Sequence, residues 1–214
     1  MRALIIGESG GIGAAMAEHL RAQEWEVVGL SRRGDGLDLT DEASIAEQAS
    51  RLRGEFEQII IATGSLGAPE KSLSTLSAQE LQSQFAVNAM GPVLAIKHFA
   101  DFLPRDRRAS LGVLSARVGS IGDNRLGGWY SYRAAKAALN QLVHGAAIEL
   151  GRKYPHLVVA ALHPGTVDTA FTQGYAREKL SPRQSAQKLL GVLDALVPEQ
   201  SGGFWDYSGA AVVW

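Results

Sequence analysis

Met1-Arg2-Ala3-Leu4-Ile5-Ile6-Gly7-Glu8-Ser9-Gly10-Gly11-Ile12-Gly13 runs from a short apolar segment straight into a glycine-rich turn, and good helix formers continue from Ala14 to Arg21. This pattern reads as strand, glycine turn, helix. Such a turn brings main chain close to a phosphate, while the helix N-terminus presents unbonded N–H groups and the positive end of its dipole. The spacing is Gly-x-x-x-Gly-x-Gly rather than the commoner Gly-x-Gly-x-x-Gly. Glycine serves any tight turn that needs a positive φ, so the ligand reading depends on the motifs further along the chain. The leading apolar run is far too short for a signal sequence or a spanning helix and reads as a buried strand.

Working outward, apolar runs of strand length alternate with longer segments of helical period, as expected of βαβ units around a parallel sheet. Strands are predicted at residues 3–6, 26–30, 58–62, 110–115, 157–162 and 203–206. Helix starts are read at Thr40, ahead of the acidic pair Asp41-Glu42, and at Ser77, which forms a capping box with Glu80. Over residues 129–152 a long helix is expected, with Ala135, Leu139, Leu142, Val143, Ala146 and Leu150 on one stripe. The fold class implied is α/β: one Rossmann-type, doubly wound parallel sheet flanked by helices on both faces. With 214 residues, no internal repeat and no low-complexity linker, residues 1–214 are expected to form one domain.

Composition narrows the function. The formal net charge is −1 and 46% of residues are apolar, which argues for a large core and against nucleic-acid or membrane partners. There is no cysteine, so disulfides, a thiolate zinc site and a catalytic thiol are excluded, and a cytoplasmic address is the simplest expectation. No cluster of His and carboxylates has metal-ligand spacing, so no metal is expected.

At the end of the second strand a carboxylate would hydrogen-bond the ribose 2′-hydroxyl of NAD. This sequence has Ser31-Arg32-Arg33 there, and two guanidiniums suit a 2′-phosphate. The cofactor expected is therefore NADP(H), with NAD(H) as the alternative.

Taken together the motifs resemble the short-chain dehydrogenase/reductase family over essentially the full length. The glycine turn is similar to the family's Thr-Gly-x-x-x-Gly-x-Gly with Ile6 in place of threonine, which implies cofactor contacts from Gly7, Ser9, Gly11, Ile12 and Gly13. Asp38-Leu39 resembles the adenine contact, and Ala62-Thr63-Gly64 stands where the family has Asn-Ala-Gly. Val87-Asn88-Ala89-Met90-Gly91 matches Val-Asn-x-x-Gly, which implies that Asn88 helps hold a proton-relay water. Tyr132-Arg133-Ala134-Ala135-Lys136 matches the active-site Tyr-x-x-x-Lys. His163-Pro164-Gly165-Thr166-Val167-Asp168-Thr169 resembles the segment lining the nicotinamide, with Thr169 at the carboxamide. Residues 119–132 and 203–209 look like the branch containing C-factor-like and sniffer-like carbonyl reductases, and the resemblance implies a homodimer or homotetramer.

One departure bears on the chemistry. The family's serine pair appears as Ser115-Ala116, and the second serine is the catalytic one. Ser115 is taken as its replacement, with Ser120 as the other candidate; side chains alternate along a strand, so a one-residue shift points Ser115 the other way unless the strand has ended.

Hydride transfer to a carbonyl leaves a developing alkoxide that needs a proton donor and a stabiliser of negative charge. Residues four apart share a helix face, so Lys136 can favour the phenolate of Tyr132. A Tyr and a Lys at this spacing also form surface pairs on many helices, and it is the ordered run of motifs that decides. His144 and His163 read as structural. Residues 170–181, with Phe171, Tyr175 and Arg177, are expected to flank the substrate, and Trp129, Tyr130 and Phe171 to offer an apolar wall. The function expected is NADP(H)-dependent reduction of a small carbonyl compound, or oxidation of the corresponding alcohol. The rival is an NADP(H)-binding signalling or regulatory protein with weak or no turnover, which Ala116 favours and the Tyr132–Lys136–Asn88 set disfavours.

Overall fold

The computed structural model describes residues 1–174, 176 and 178–214. The elements are β1 (Arg2–Ile6), α1 (Gly11–Ala22), β2 (Glu26–Leu30), the short α2 (Arg32–Asp35), α3 (Glu42–Arg51), β3 (Gln58–Ile61), α4 (Ala78–Phe85), α5 (Gly91–Phe99), β4 (Ala109–Leu114), α6 (Tyr130–Gly151), β5 (Leu157–His163), α7 (Pro182–Ala195) and β6 (Gly203–Asp206). One turn of π-helix, Ala86–Met90, joins α4 to α5.

The six strands form one sheet in the order β2-β1-β3-β4-β5-β6, and every neighbouring pair is parallel. Because β1 lies between β2 and β3, the winding reverses beside it. The carboxyl ends of β1 and β3 therefore border the crevice where such sheets bind ligands.

Alternation along the strands divides the core in two. Leu4 and Ile6 of β1, with Ile59, Ile61, Leu111, Val113, Val159 and Ala161, face α3, α5 and α6. Ala3 and Ile5, with Ile60, Leu114, Val158, Ala160 and Leu162, face α1 and α7. Burial on both faces explains why the strands read as continuous apolar runs.

Several local expectations are corrected. Strands β3 and β4 end at Ile61 and Leu114, one residue early, and β5 reaches His163. Asp41 rather than Thr40 caps α3, accepting from Ala43 N at 3.0 Å, because the Thr40 hydroxyl donates to Asp38 at 2.7 Å. Ser77 accepts from Glu80 N at 3.1 Å, but the Glu80 carboxylate turns away to Ala68 N at 3.1 Å, so only half of the capping box forms. On α6 the buried stripe runs through Ala135, Leu139, Val143, Ala147 and Leu150, whereas Leu142 faces outward. A helix of 3.6 residues per turn cannot keep both Leu142 and Val143 on one narrow stripe. Among the described residues no helix is long and apolar enough to cross a membrane.

Candidate active site

At the carboxyl ends of β1, β3, β4 and β5 lies a cavity of about 800 Å³, lined by residues 10–12, 62–64, 114–118, 163–167 and 169–172 together with Trp129, Tyr132, Arg133 and Lys136. Of the predicted residues, Gly11, Ile12, Ala62, Thr63, Gly64, Ser115, Tyr132, Lys136, Pro164, Gly165, Thr166, Val167 and Thr169 all meet there.

The glycine turn forms one end. Gly7 has φ 95°, and a Cβ on it would lie 2.9 Å from the Ala62 carbonyl oxygen. A Cβ on Gly13 would sit 2.3 Å from Gly7 O, and one on Gly11 would sit 2.6 Å from Thr169 Cγ2. These glycines thus let β1, β3 and the segment after β5 close on one point. Gly10 caps α1 without a side-chain bond, which leaves the helix N-terminus facing the cavity. Gly7 and Gly13 act behind the lining, and Ser9 is exposed at the edge of the turn.

Beyond β2 the structure adds something that reading along the chain misses. Ser31 caps α2, accepting from Gly34 N at 3.0 Å, and the Asp35 carboxylate folds back to accept from Ser31 N at 2.8 Å. An acid therefore does stand at the end of β2, delivered from four residues downstream. Arg32 and Arg33 are exposed beside it, without a hydrogen bond or ion pair among the described residues. Asp38 is engaged in its own turn, accepting from Thr40 N at 2.9 Å, and those Thr40 bonds with the nearby Arg32 hold its carboxyl below the ordinary range. Leu39 is buried, and its backbone oxygen lies 2.7 Å from where a Cβ on Gly91 would be. Neither Ser31, Arg32 and Arg33 nor Asp38 and Leu39 line the cavity itself.

The other end holds Tyr132 and Lys136. Tyr132 and Lys136 lie one turn apart on α6, 5% and 2% exposed, with the ammonium 6.0 Å from the phenol ring centre. Nζ of Lys136 donates to Leu114 O at 2.9 Å. No carboxylate among the described residues pairs with it, and burial pushes its pKa from 10.5 down to about 7. The Tyr132 ring is held between Trp129 at 6.3 Å and Phe171 at 6.0 Å, so two of the three expected aromatics form the wall, whereas Tyr130 does not line the cavity. Tyr175 and Arg177 lie outside the described residues.

Asn88 sits in the π-turn, fully buried behind the cavity. Its amide donates to Ser65 O at 2.8 Å and Gln84 Oε1 at 2.7 Å, and its oxygen accepts from Ser65 N at 3.1 Å. The lack of a side chain on Gly64 draws it toward the site, since a Cβ there would stand 3.1 Å from Asn88 Oδ1 and 3.7 Å from Lys136 Nζ. π-Turns of this kind recur at functional sites.

Of the serine candidates, Ser115 lines the cavity and Ser120 does not. The Ser115 hydroxyl donates to Asn140 Oδ1 at 2.6 Å, and Ser120 donates to Val213 O. Strand β4 has ended at Leu114, yet Ser115 keeps the α6-facing orientation that alternation gives it. Asn140 escapes the sequence reading although it lies four residues beyond Lys136 on the same helix face, a spacing that could have found it. Arg117 and Arg133, which line the cavity, escape it too. His163 accepts from Arg117 N at 3.2 Å through Nδ1, and burial, with the Arg117 charge, lowers its pKa to about 4. His144 bonds Gly202 O at 3.0 Å. Trp129 is left-handed at φ 53°, a conformation that costs a non-glycine residue about 1–2 kcal/mol.

Comparison with known proteins agrees with this arrangement. The family model described as Enoyl-(Acyl carrier protein) reductase matches residues 6–195. The 1-hydroxy-2-glutathionyl-2-methyl-3-butene dehydrogenase of Rhodococcus sp. (strain AD45) is 29% identical over 228 residues, covering 99% of this chain and 98% of that protein. The crystal structure of a short-chain dehydrogenase/reductase from Burkholderia multivorans with bound NADP superposes with a TM-score of 0.86 at 29% identity, covering 100% and 99% of the two chains. The carbonyl reductase Sniffer of D. melanogaster shares the fold, with a TM-score of 0.83 at 20% identity over 100% and 99%. The ordered motifs, the parallel sheet and the convergence of Tyr132 and Lys136 on the crevice lead to one assignment: this chain is an oxidoreductase of the short-chain dehydrogenase/reductase family.

Proposed function

We propose that the protein reduces the carbonyl of a small molecule, or oxidises the matching alcohol, with NADP(H). The observation that carries this reading is a cavity that has an uncapped helix N-terminus at one end and Tyr132 with Lys136 at the other. The donors along it fit a dinucleotide. Thr63 Oγ1 is buried without a partner among the described residues, and the Lys136 ammonium uses one of its three donors on Leu114 O. Gly11, Ile12 and the α1 N-terminus suit a pyrophosphate, 164–167 with Thr169 the nicotinamide, and the exposed Arg32 and Arg33 a 2′-phosphate. The NADP bound to the Burkholderia multivorans relative agrees with this choice.

When bound, the nicotinamide supplies or accepts the hydride. Everything else falls to this chain. Tyr132 donates its phenol proton to the carbonyl oxygen as negative charge develops there. Lys136 makes the phenol more acidic and holds ribose hydroxyls with its remaining donors. Asn88, across Gly64 from Lys136, takes the relay position that holds a water behind the ammonium. Ser115 exchanges its bond to Asn140 for one to the substrate oxygen and replaces the hydroxyl missing at Ala116. Trp129 and Phe171 exclude water.

Titration of the purified protein with NADPH and NADH, then a carbonyl panel with Tyr132→Phe as control, tests the reading. Tyr132-dependent turnover supports it; tight cofactor binding with no turnover on any member would replace it with a binding role. Substituting Arg32 and Arg33 together by alanine is expected to raise the NADPH dissociation constant roughly 10- to 100-fold, the range for losing one or two charge-assisted hydrogen bonds. NADH binding should be nearly unchanged, and equal weakening of both cofactors would reject the assignment.

The protein is further proposed to be a homodimer or homotetramer. The outward face of α6 carries Leu142 and Ile148, 37% and 53% exposed, on the longest helix of the fold. Light scattering at micromolar concentration is expected to give twice or four times the chain mass; a monomer would reject it.

A further inference from the structure

We infer that Glu70 is a positioning residue whose carboxylate caps the helix carrying Tyr132 from a distant part of the chain and so sets where the phenol stands. The inference rests on the proposed reductase reading for its kinetic consequence alone.

Helix α6 begins without local support. Its N-cap is Trp129, which makes no side-chain cap, and no acidic residue occupies the first turn. Such a start leaves N–H groups unanswered and the positive dipole end uncompensated. Glu70, 5% exposed and 61 positions upstream of Ser131, answers both. Its Oε2 accepts from Ser131 N at 3.2 Å, its Oε1 accepts from the Ser131 hydroxyl, and its main-chain oxygen accepts from Trp129 N at 2.6 Å. One residue therefore grips the chain on both sides of the left-handed Trp129.

The group is buried without a cation at ion-pair distance among the described residues. Burial alone would raise its pKa, but the bonds from Ser131 together with its own backbone N–H outweigh that and hold the carboxyl below its ordinary range. It is therefore a carboxylate at neutral pH whose compensation is a helix end. A buried carboxylate is expensive to keep, and a glutamate retained only for packing has no need of this geometry.

The clamp acts on Tyr132 rather than on the whole site because the other half of the pair has its own anchors. Lys136 is fixed by Leu114 O and by close packing on Gly119, where a Cβ would lie 2.8 Å from the Lys136 main chain. Loosening residue 131 shifts the phenol, its immediate neighbour, while leaving the ammonium in place. The separation of the two groups then depends on Glu70.

The test uses Glu70→Ala and Glu70→Gln. The ionisation of Tyr132 is followed by ultraviolet difference spectroscopy, with Tyr132→Phe identifying its contribution. Removing a negative charge alone lowers the midpoint of a nearby phenol, whereas moving the phenol away from Lys136 raises it, because proximity favours the ammonium–phenolate form of the coupled pair over the amine–phenol form. Glu70→Ala is expected to raise the midpoint and to lower kcat roughly 10- to 100-fold, the scale for a misplacement of about 1 Å, with the NADPH dissociation constant unchanged. Glu70→Gln retains an oxygen acceptor for Ser131 N and should restore kcat, and because it removes only the charge its midpoint should lie at or below that of the wild type. A midpoint that falls or stays put in Glu70→Ala, or equal loss of kcat, cofactor affinity and melting temperature in both variants, would overturn the inference. If the wild type turns over no carbonyl, the reductase reading fails while the ionisation midpoint still decides the role of Glu70. Should Glu70→Ala not fold, Ser131→Ala, which removes one of the two side-chain bonds, must raise the midpoint in the same direction for the inference to stand.

Discussion

Replacing Lys136 by methionine is expected to cut turnover by orders of magnitude and, at the same time, to make the fold more stable. The ammonium is 2% exposed, has no carboxylate beside it among the described residues and has its pKa lowered from 10.5 to about 7. Each pKa unit corresponds to about 1.4 kcal/mol, so burial of this charge opposes folding by several kcal/mol, partly offset by the bond to Leu114 O. Proton counting gives the sign. Below about pH 7 both folded and unfolded chains carry the proton and the penalty is complete; between about 7 and 10.5 only the unfolded chain holds it, so the penalty grows no smaller below that window and stability changes with pH inside it, falling as the unfolded chain's extra proton is favoured by acid and rising as pH increases. Methionine has similar length and no charge to desolvate. The variant should gain about 1–3 kcal/mol near pH 6, and the advantage should shrink toward pH 10. Thermal melting of both proteins across that range checks it, and a methionine variant less stable than the wild type at pH 6 would show that the buried ammonium does not oppose folding. Activity should fall about 10²- to 10⁴-fold, since the proposed proton donor loses the group proposed to acidify it.

Tyr132→Phe separates chemistry from binding. Removing the phenol oxygen deletes the proposed proton donor while the ring keeps its contacts with Trp129 and Phe171. The expected loss in kcat is about 10²- to 10⁴-fold, with NADPH affinity retained, since the proposed phosphate and ribose contacts use other residues. Lys136→Met should instead weaken both. Stopped-flow measurement of cofactor oxidation at saturating NADPH, with a parallel binding titration, distinguishes the two patterns. Comparable turnover by the phenylalanine variant would remove Tyr132 from the mechanism.

What can be read from the sequence is whatever has a short period or a fixed spacing. The strands show as apolar runs because both faces of a parallel sheet are buried, and Ile59-Ile60-Ile61 divides its side chains between the two core clusters. The Tyr132–Lys136 pair shows because four residues are one helical turn. Contacts between distant segments leave no such trace. Glu70 meets Ser131 across 61 positions, and nothing around the Pro69-Glu70 pair announces it. Ser115 shows the difference well: alternation gives its direction, whereas its partner Asn140 comes from a helix packed alongside. Asp35 escapes for a subtler reason. The acid is expected at the strand end itself, and the one-turn α2 carries it back from four residues downstream.

That small helix has a consequence beyond its size. Residues Arg32–Asp35 bury no side chain and belong to neither core cluster, while Tyr132 and Lys136 lie on the far side of the sheet's switch point. The two arginines can therefore change without touching either core cluster or the Tyr132–Lys136 pair. On the proposed assignment, the choice between the cell's biosynthetic and catabolic electron supplies is a detachable trait, adjustable in a few surface substitutions while the reaction itself stays intact.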